Sequence, residues 1–204
     1  MVRFGTWMAW GAAAAAIAYG IPQLLQVAGV LTDPWDRILI FAPSLALAPL
    51  FVLAMAATHV ATPPDRQVWS LSALALAILY AADVSQVYVV QLGSIIPHDL
   101  AGAGETVGFA ACCTPGMPAT AVDLLGYTYM SLATLLLAPA FPGRRWLQFS
   151  LVANGLLAPA LIGQLAWPDL IYVGALWLIT FPAAMILLAK AFDAAPPRSG
   201  PQSP

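Results

Sequence analysis

Six apolar runs, each about as long as a bilayer is thick, constrain this chain more than any motif in it. A helix needs about 20 mostly apolar residues to cross a hydrocarbon core of about 30 Å. Runs of that kind occupy 4–31, 38–58, 68–96, 119–141, 146–167 and 170–192. Backbone N–H and C=O groups find no water in lipid, so the runs must satisfy them internally as helices. The expected fold is therefore all-α: a six-helix transmembrane bundle forming one domain over 1–193. The segments between the runs carry turn and capping residues, as in Thr32-Asp33-Pro34-Trp35-Asp36-Arg37, Thr62-Pro63-Pro64-Asp65-Arg66, Pro142-Gly143-Arg144-Arg145 and Trp167-Pro168-Asp169. Residues 97–118 form the one long connection. Composition agrees: 61% of residues are hydrophobic and 8% charged, against about 25% charged in a soluble domain. A chain so poor in charge cannot face water on all sides, and the lipid bilayer is its evident partner.

Orientation follows from the basic residues near the helix ends. With the N-terminus inside, the inner side holds Arg3, Arg66, Arg144, Arg145, Lys190 and Arg198, and the outer side only Arg37. The expected topology is N-in/C-in, with 97–118 an outer loop. The rival reading, a cleaved signal peptide, would leave five spans. The first apolar run, however, continues well past the usual length of about 7–15 residues. The Pro-, Ser- and Gly-containing tail 194–204 is expected to be disordered and cytoplasmic. Abundant Ala and the preference for Arg over Lys point to the cytoplasmic membrane of a prokaryote. A net charge of −2 and the lack of a basic cluster argue against nucleic acid.

Polar side chains inside lipid are costly, so their positions carry the functional signal. Asp83 lies near the middle of the third run, where an Asp costs about 2.5–3.5 kcal/mol on insertion scales. Gln86 follows one turn later and Gln91 further toward the outside. The first run brings Gln23 and Gln26 to the outer half, the fourth begins with Asp123 and Tyr127, and the fifth contributes Asn154 and Gln164. These residues suggest a polar pocket open to the outside, with Asp83 as its floor. The alternative is hydrogen bonding that merely holds helices together, and Asp123 can also be read as a solvated helix cap. Pro22, Pro43, Pro49, Pro139, Pro159 and Pro182 are expected to kink their helices. Tyr19, Trp35, Trp146, Trp167 and Tyr172 read as interfacial aromatic residues.

The loop 97–118 is Gly- and Ala-rich, and a lid over the pocket is one reading of it. His98, Asp99, Glu105 and Cys112 match no metal-ligand spacing, so no metal and no cofactor are expected. Cys112 and Cys113 are adjacent; the peptide between them would have to distort to bridge them. They are expected to be small buried side chains, or to bond to another chain.

The segments Leu79-Tyr80-Ala81-Ala82-Asp83-Val84-Ser85-Gln86-Val87-Tyr88-Val89-Val90-Gln91-Leu92 and Asp123-Leu124-Leu125-Gly126-Tyr127 resemble those of uncharacterised multi-span bacterial membrane proteins. That resemblance implies no activity. The sequence holds no P-loop, no HExxH and no Gly-x-Ser-x-Gly. The leading expectation is a transporter or sensor that binds or moves a small polar or cationic species. Asp83 would supply the charge, with Gln86, Gln91, Gln23, Gln26, Tyr127, Asp123 and Gln164 as further pocket candidates. A structural or accessory subunit is the alternative, and an intramembrane enzyme the third reading.

Overall fold

The computed structural model of the chain describes residues 2–194, and every regular element among them is helical. In order these are α1 (Val2–Val27), α2 (Trp35–Ala61), α3 (Gln67–Val90), α4 (Ile96–Leu100), α5 (Pro118–Leu137), α6 (Arg145–Gly155), α7 (Ala158–Gly163), α8 (Ile171–Gly174) and α9 (Trp177–Asp193). They make six segments long and apolar enough to cross a membrane: Arg3–Val27, Trp35–Ala61, Pro64–Leu100, Pro118–Ala140, Arg145–Gly163 and Pro168–Asp193. The expected tail, Ala194 apart, lies outside the described residues.

The span ends differ from the apolar runs where local chemistry intervenes. The first run continues to Leu31, but the helix stops at Val27 because Gly29 adopts a left-handed φ of 69°. Its N–H bonds the Gln26 carbonyl and the Val30 N–H bonds Leu25, which is the paired closure of a Schellman cap. The third span overshoots in the other direction. Beyond Val90 it passes through one π turn, Gln91–Ile95, and resumes as α4, whose Pro97 sits in a first turn where no N–H is needed. The free loop is thus shorter than 97–118. In the fifth span the α6 and α7 helices are separated at Leu156 and Leu157, just before Pro159, and the sixth is interrupted between α8 and α9.

Each span packs on its neighbours in sequence, and α9 returns to α1, so the six segments close into a ring. Small residues let them approach. The buried face of α1 is Ala9, Ala12, Ala13 and Ala16, a helical spacing that brings its backbone close to α2 and α9. The start of α1 and the end of α9 meet where Thr6 donates to the Asp193 carboxylate at 3.0 Å. This is the termini end; the opposite one, with 101–117, is the loop end. Trp35, Trp146, Trp167 and Tyr172 are exposed on the outside of the ring, as span-end aromatics should be.

Aromatic side chains fill the middle. Tyr80, Tyr127, Trp177, Phe181 and Phe51 touch in a closed cycle, with centroids 5.8, 5.1, 5.0, 5.4 and 5.8 Å apart in turn. Tyr88 extends this cluster toward the loop end, stacking on Phe41 at 5.5 Å. Tyr19 joins it edge-on to Trp177 at 5.7 Å. Tyr19 is therefore a core residue, contrary to its expected place in an interfacial belt. The Trp177 indole N–H is satisfied by the Met130 sulfur at 3.3 Å.

Candidate functional site

Polar groups buried in this bundle fall into two kinds. Most hydroxyls bond a carbonyl one turn back on their own helix, as Ser44, Thr58, Thr62 and Thr128 do. Asn154, fully buried, donates to Thr134 at 3.0 Å and accepts from Thr180 at 2.9 Å, tying α5, α6 and α9 together. Against these stand four buried polar atoms with no hydrogen-bond partner: the Tyr80 hydroxyl, one oxygen each of Asp83 and Asp123, and the Ser131 hydroxyl. A buried polar group left unpaired costs about 1–3 kcal/mol, more when charged.

Asp123 is the best placed of these for function. It lies within α5, six residues past the N-cap Met117, so it is no helix cap. Its Oδ1 is buried and unpartnered, and the Tyr88 hydroxyl is a neighbour of the carboxyl. The Tyr88 hydroxyl also meets that of Tyr127 at 3.0 Å. Tyr19 and Tyr80 are close enough for the Asp123 charge to act on both. Four tyrosines, drawn from α1, α3 and α5, thus lie within electrostatic range of one carboxyl. The π turn at Gln91 lies just beyond Tyr88, and such turns are frequent at functional sites.

From Tyr19 a file of hydrogen bonds leads to the loop-end surface. Its hydroxyl donates to Gln23 Oε1 at 3.2 Å, Gln23 Nε2 to Gln26 Oε1 at 3.0 Å, and Gln26 Nε2 to Asp36 Oδ2 at 2.8 Å. The other Asp36 oxygen accepts the Arg37 N–H, and the Arg37 guanidinium bridges Asp33 to Asp99. Gln23 and Gln26 are therefore linked to the interior through Tyr19.

The remaining candidates separate. Gln86 is exposed on the outside of α3 and donates to the Ala82 carbonyl of its own helix, so it lines no interior route. Gln91 is buried, but its amide is fully used by the loop: Nε2 donates to the Ala110 carbonyl at 2.9 Å and Oε1 accepts the Cys112 N–H at 3.0 Å. It is a loop clamp. Gln164 packs against Gly174 where α7 meets α8; a Cβ on that glycine would lie 2.8 Å from Gln164 Nε2. Asp83 is half-buried on the seam between α3 and α5, and Gly126 makes that seam possible. A Cβ at Gly126 would sit 2.8 Å from Val84 and 3.2 Å from the Asp83 Cβ.

The two prominent hollows, of about 410 and 180 Å³, lie at the termini end, the first between Arg144, Arg145 and Lys190. Where an open pocket above Asp83 is expected, the ring's interior holds packed aromatics.

Above Asp123 lies a feature that residue spacing did not predict. Cys112 and Cys113 are joined to each other as a disulfide, against the expectation that neighbours do not bridge. The required distortion is present in the backbone: Cys113 takes a left-handed φ of 74°, the one non-glycine to do so among the described residues. Its N–H is held by Thr120 Oγ1 at 2.9 Å, while Gln91 holds that of Cys112. Both sulfurs and an Asp123 oxygen lie within 4.8 Å of one another. His98 takes no part, since its Nδ1 is 2.9 Å from the Ser94 carbonyl. Comparison with protein-family models, with curated proteins and with solved structures finds no match for the chain, so the reading of this site rests on its geometry.

Proposed function

We propose that this multi-pass membrane protein binds or moves a small cationic species at its loop end, with Asp123 as the charge that holds it. The observation that carries the reading is the buried, unpartnered Oδ1 of Asp123 among four tyrosines. A carboxyl in such a place needs a compensating partner. Tyrosine rings and hydroxyl oxygens are suited to a cation, and an anion would be repelled by the Asp123 carboxylate. The Tyr19–Gln23–Gln26–Asp36 file gives the site a polar connection to the surface. Asp83, first choice from the sequence, yields to Asp123 because it lies on the seam between α3 and α5 and away from the convergence with the two cysteine sulfurs that Asp123 makes.

The loop end faces outward in this reading. Among the described cations, Arg3, Arg66, Arg144, Arg145 and Lys190 belong to the termini end. Arg37 alone belongs to the loop end, neutralised there by Asp33 and Asp99.

Proteoliposomes carrying trapped indicators for K⁺ and Cd²⁺ test the proposal. Asp123→Asn should slow protein-dependent uptake of at least one of the two by about tenfold or more, matching the loss of one charged interaction of at least about 1.4 kcal/mol. Asp83→Asn should leave uptake near wild type. Equal rates in wild type and Asp123→Asn overturn the reading in favour of a structural or accessory subunit.

A further inference from the structure

We infer that the cation is thiophilic, and that Cys112 and Cys113, once reduced, complete a three-ligand metal site with Asp123 which the disulfide closes. The inference rests on the cation-binding reading above and names its substrate class. Two sulfurs and a carboxyl oxygen already converge within 4.8 Å. A tetrahedral ion with metal–sulfur bonds of about 2.3 Å and metal–oxygen bonds of about 2.0–2.2 Å needs its ligand atoms roughly 3.5–3.8 Å apart. Breaking the S–S bond lets the sulfurs part to that spacing without moving α5. The Asp123 carboxyl, which has a buried oxygen with no partner of its own, becomes the third donor. Two thiolates and one carboxylate leave a fourth position open, as in sites that exchange a ligand and not in closed structural ones. Soft thiolate donors select Cu(I), Zn²⁺ and their heavier analogues over K⁺ or Mg²⁺.

The same pair supplies the control. Cys113 is exposed and Cys112 half-buried against the core. An external dithiol therefore reaches the Cys113 sulfur first. Its thiolate forms a mixed disulfide there and expels Cys112 as a thiolate. Its second thiol then displaces Cys113, so the reductant leaves as a disulfide and two electrons and two protons pass to the protein. Binding a divalent ion displaces the two thiol protons. In the disulfide form neither sulfur is a thiolate and the site is lost. The clamp from Gln91 keeps Cys112 over Asp123 in both states.

The experiment titrates Cd²⁺ into the full-length protein in micelles, after reduction by a phosphine that is then removed, and reads the ultraviolet sulfur-to-cadmium charge-transfer band. The reduced protein should develop the band to one equivalent, and diamide oxidation should abolish it. Cys112→Ser and Cys113→Ser should each remove most of it. Asp123→Asn should keep the band but weaken affinity by at least about 10–100-fold, the range seen when only an outer partner of a metal ligand is lost. A band of equal size after oxidation, a band surviving in both serine variants, or none in wild type with two thiols titrated free would each overturn the inference. Asp123-dependent K⁺ uptake persisting in the double serine variant would overturn it too, while leaving the cation-binding reading intact.

Discussion

The Asn154 knot and the Asp123 site are both polar and both buried between helices, yet they solve burial in opposite ways. Asn154 uses its amide in both directions, and Thr134 and Thr180 answer it from α5 and α9. Nothing is left over except the nearby Ser131 hydroxyl. Asp123 keeps an oxygen without a partner, and the Tyr80 hydroxyl within range of its charge has none either. A satisfied group holds helices together and has nothing left to offer a ligand. An unsatisfied one weakens the fold and is retained where something else completes it. The bundle thus divides into a half that holds and a half that can bind, and α5 contributes to both.

The comparison is tested hardest by removing one member of the knot. Asn154→Leu leaves the Thr180 hydroxyl without its acceptor and removes the donor to Thr134, which keeps its bond to the Ser131 carbonyl. It should cost about 1–3 kcal/mol of stability, read as a lower denaturant midpoint in micelles. Asp123→Asn is near-isosteric and breaks no hydrogen bond of Oδ1, so it should cost less than Asn154→Leu. Should Asp123→Asn prove the more damaging of the two, Asp123 belongs with the structural residues and the division fails.

A smaller effect is expected at the edge of the binding half. Gln91→Leu removes both of the Gln91 bonds that tie 110–112 to the π turn beyond α3. After reduction of intact cells, a membrane-impermeant maleimide should label Cys112 several-fold faster in this variant, with the helices still inserted. Unchanged labelling would show that the loop is held by something other than Gln91. Labelling of either cysteine only after the membrane is permeabilised would reverse the proposed orientation.

The six spans were legible because length and apolarity alone decide them, and all six are present at nearly the expected places. Their ends were less so: Gly29 closes a cap inside an apolar run, and a π turn carries the third span past Pro97. The site was legible only in part, for a reason rooted in lipid. A helix in water shows its inner face by periodicity, but one that is apolar all round does not. Asp83 and Gln86 share a side of α3 by spacing, and nothing in the residues said that Asp83 lies on a seam while Gln86 faces out. Tyr19 was read by its distance from the span end, whereas its ring turns inward to Trp177. Asp123 and Tyr127 stood among the candidates. The cysteines did not, because their meeting with Asp123 depends on Gln91 folding the loop back over α5.

The claim that Asp123 is the functional charge is tested most directly by cation-dependent unfolding of the purified protein. Wild type, Asp83→Asn and Asp123→Asn would be melted in micelles with K⁺, Na⁺, Mg²⁺ or Cd²⁺, oxidised and reduced. A ligand at about 100 times its Kd stabilises by about 2.7 kcal/mol, which for a chain of this size raises Tm by roughly 5–10 °C. The account predicts such a shift, for at least one cation, in wild type and in Asp83→Asn, and its loss in Asp123→Asn. A shift of equal size in Asp123→Asn, or none in wild type with any of the four cations in either redox state, would contradict it.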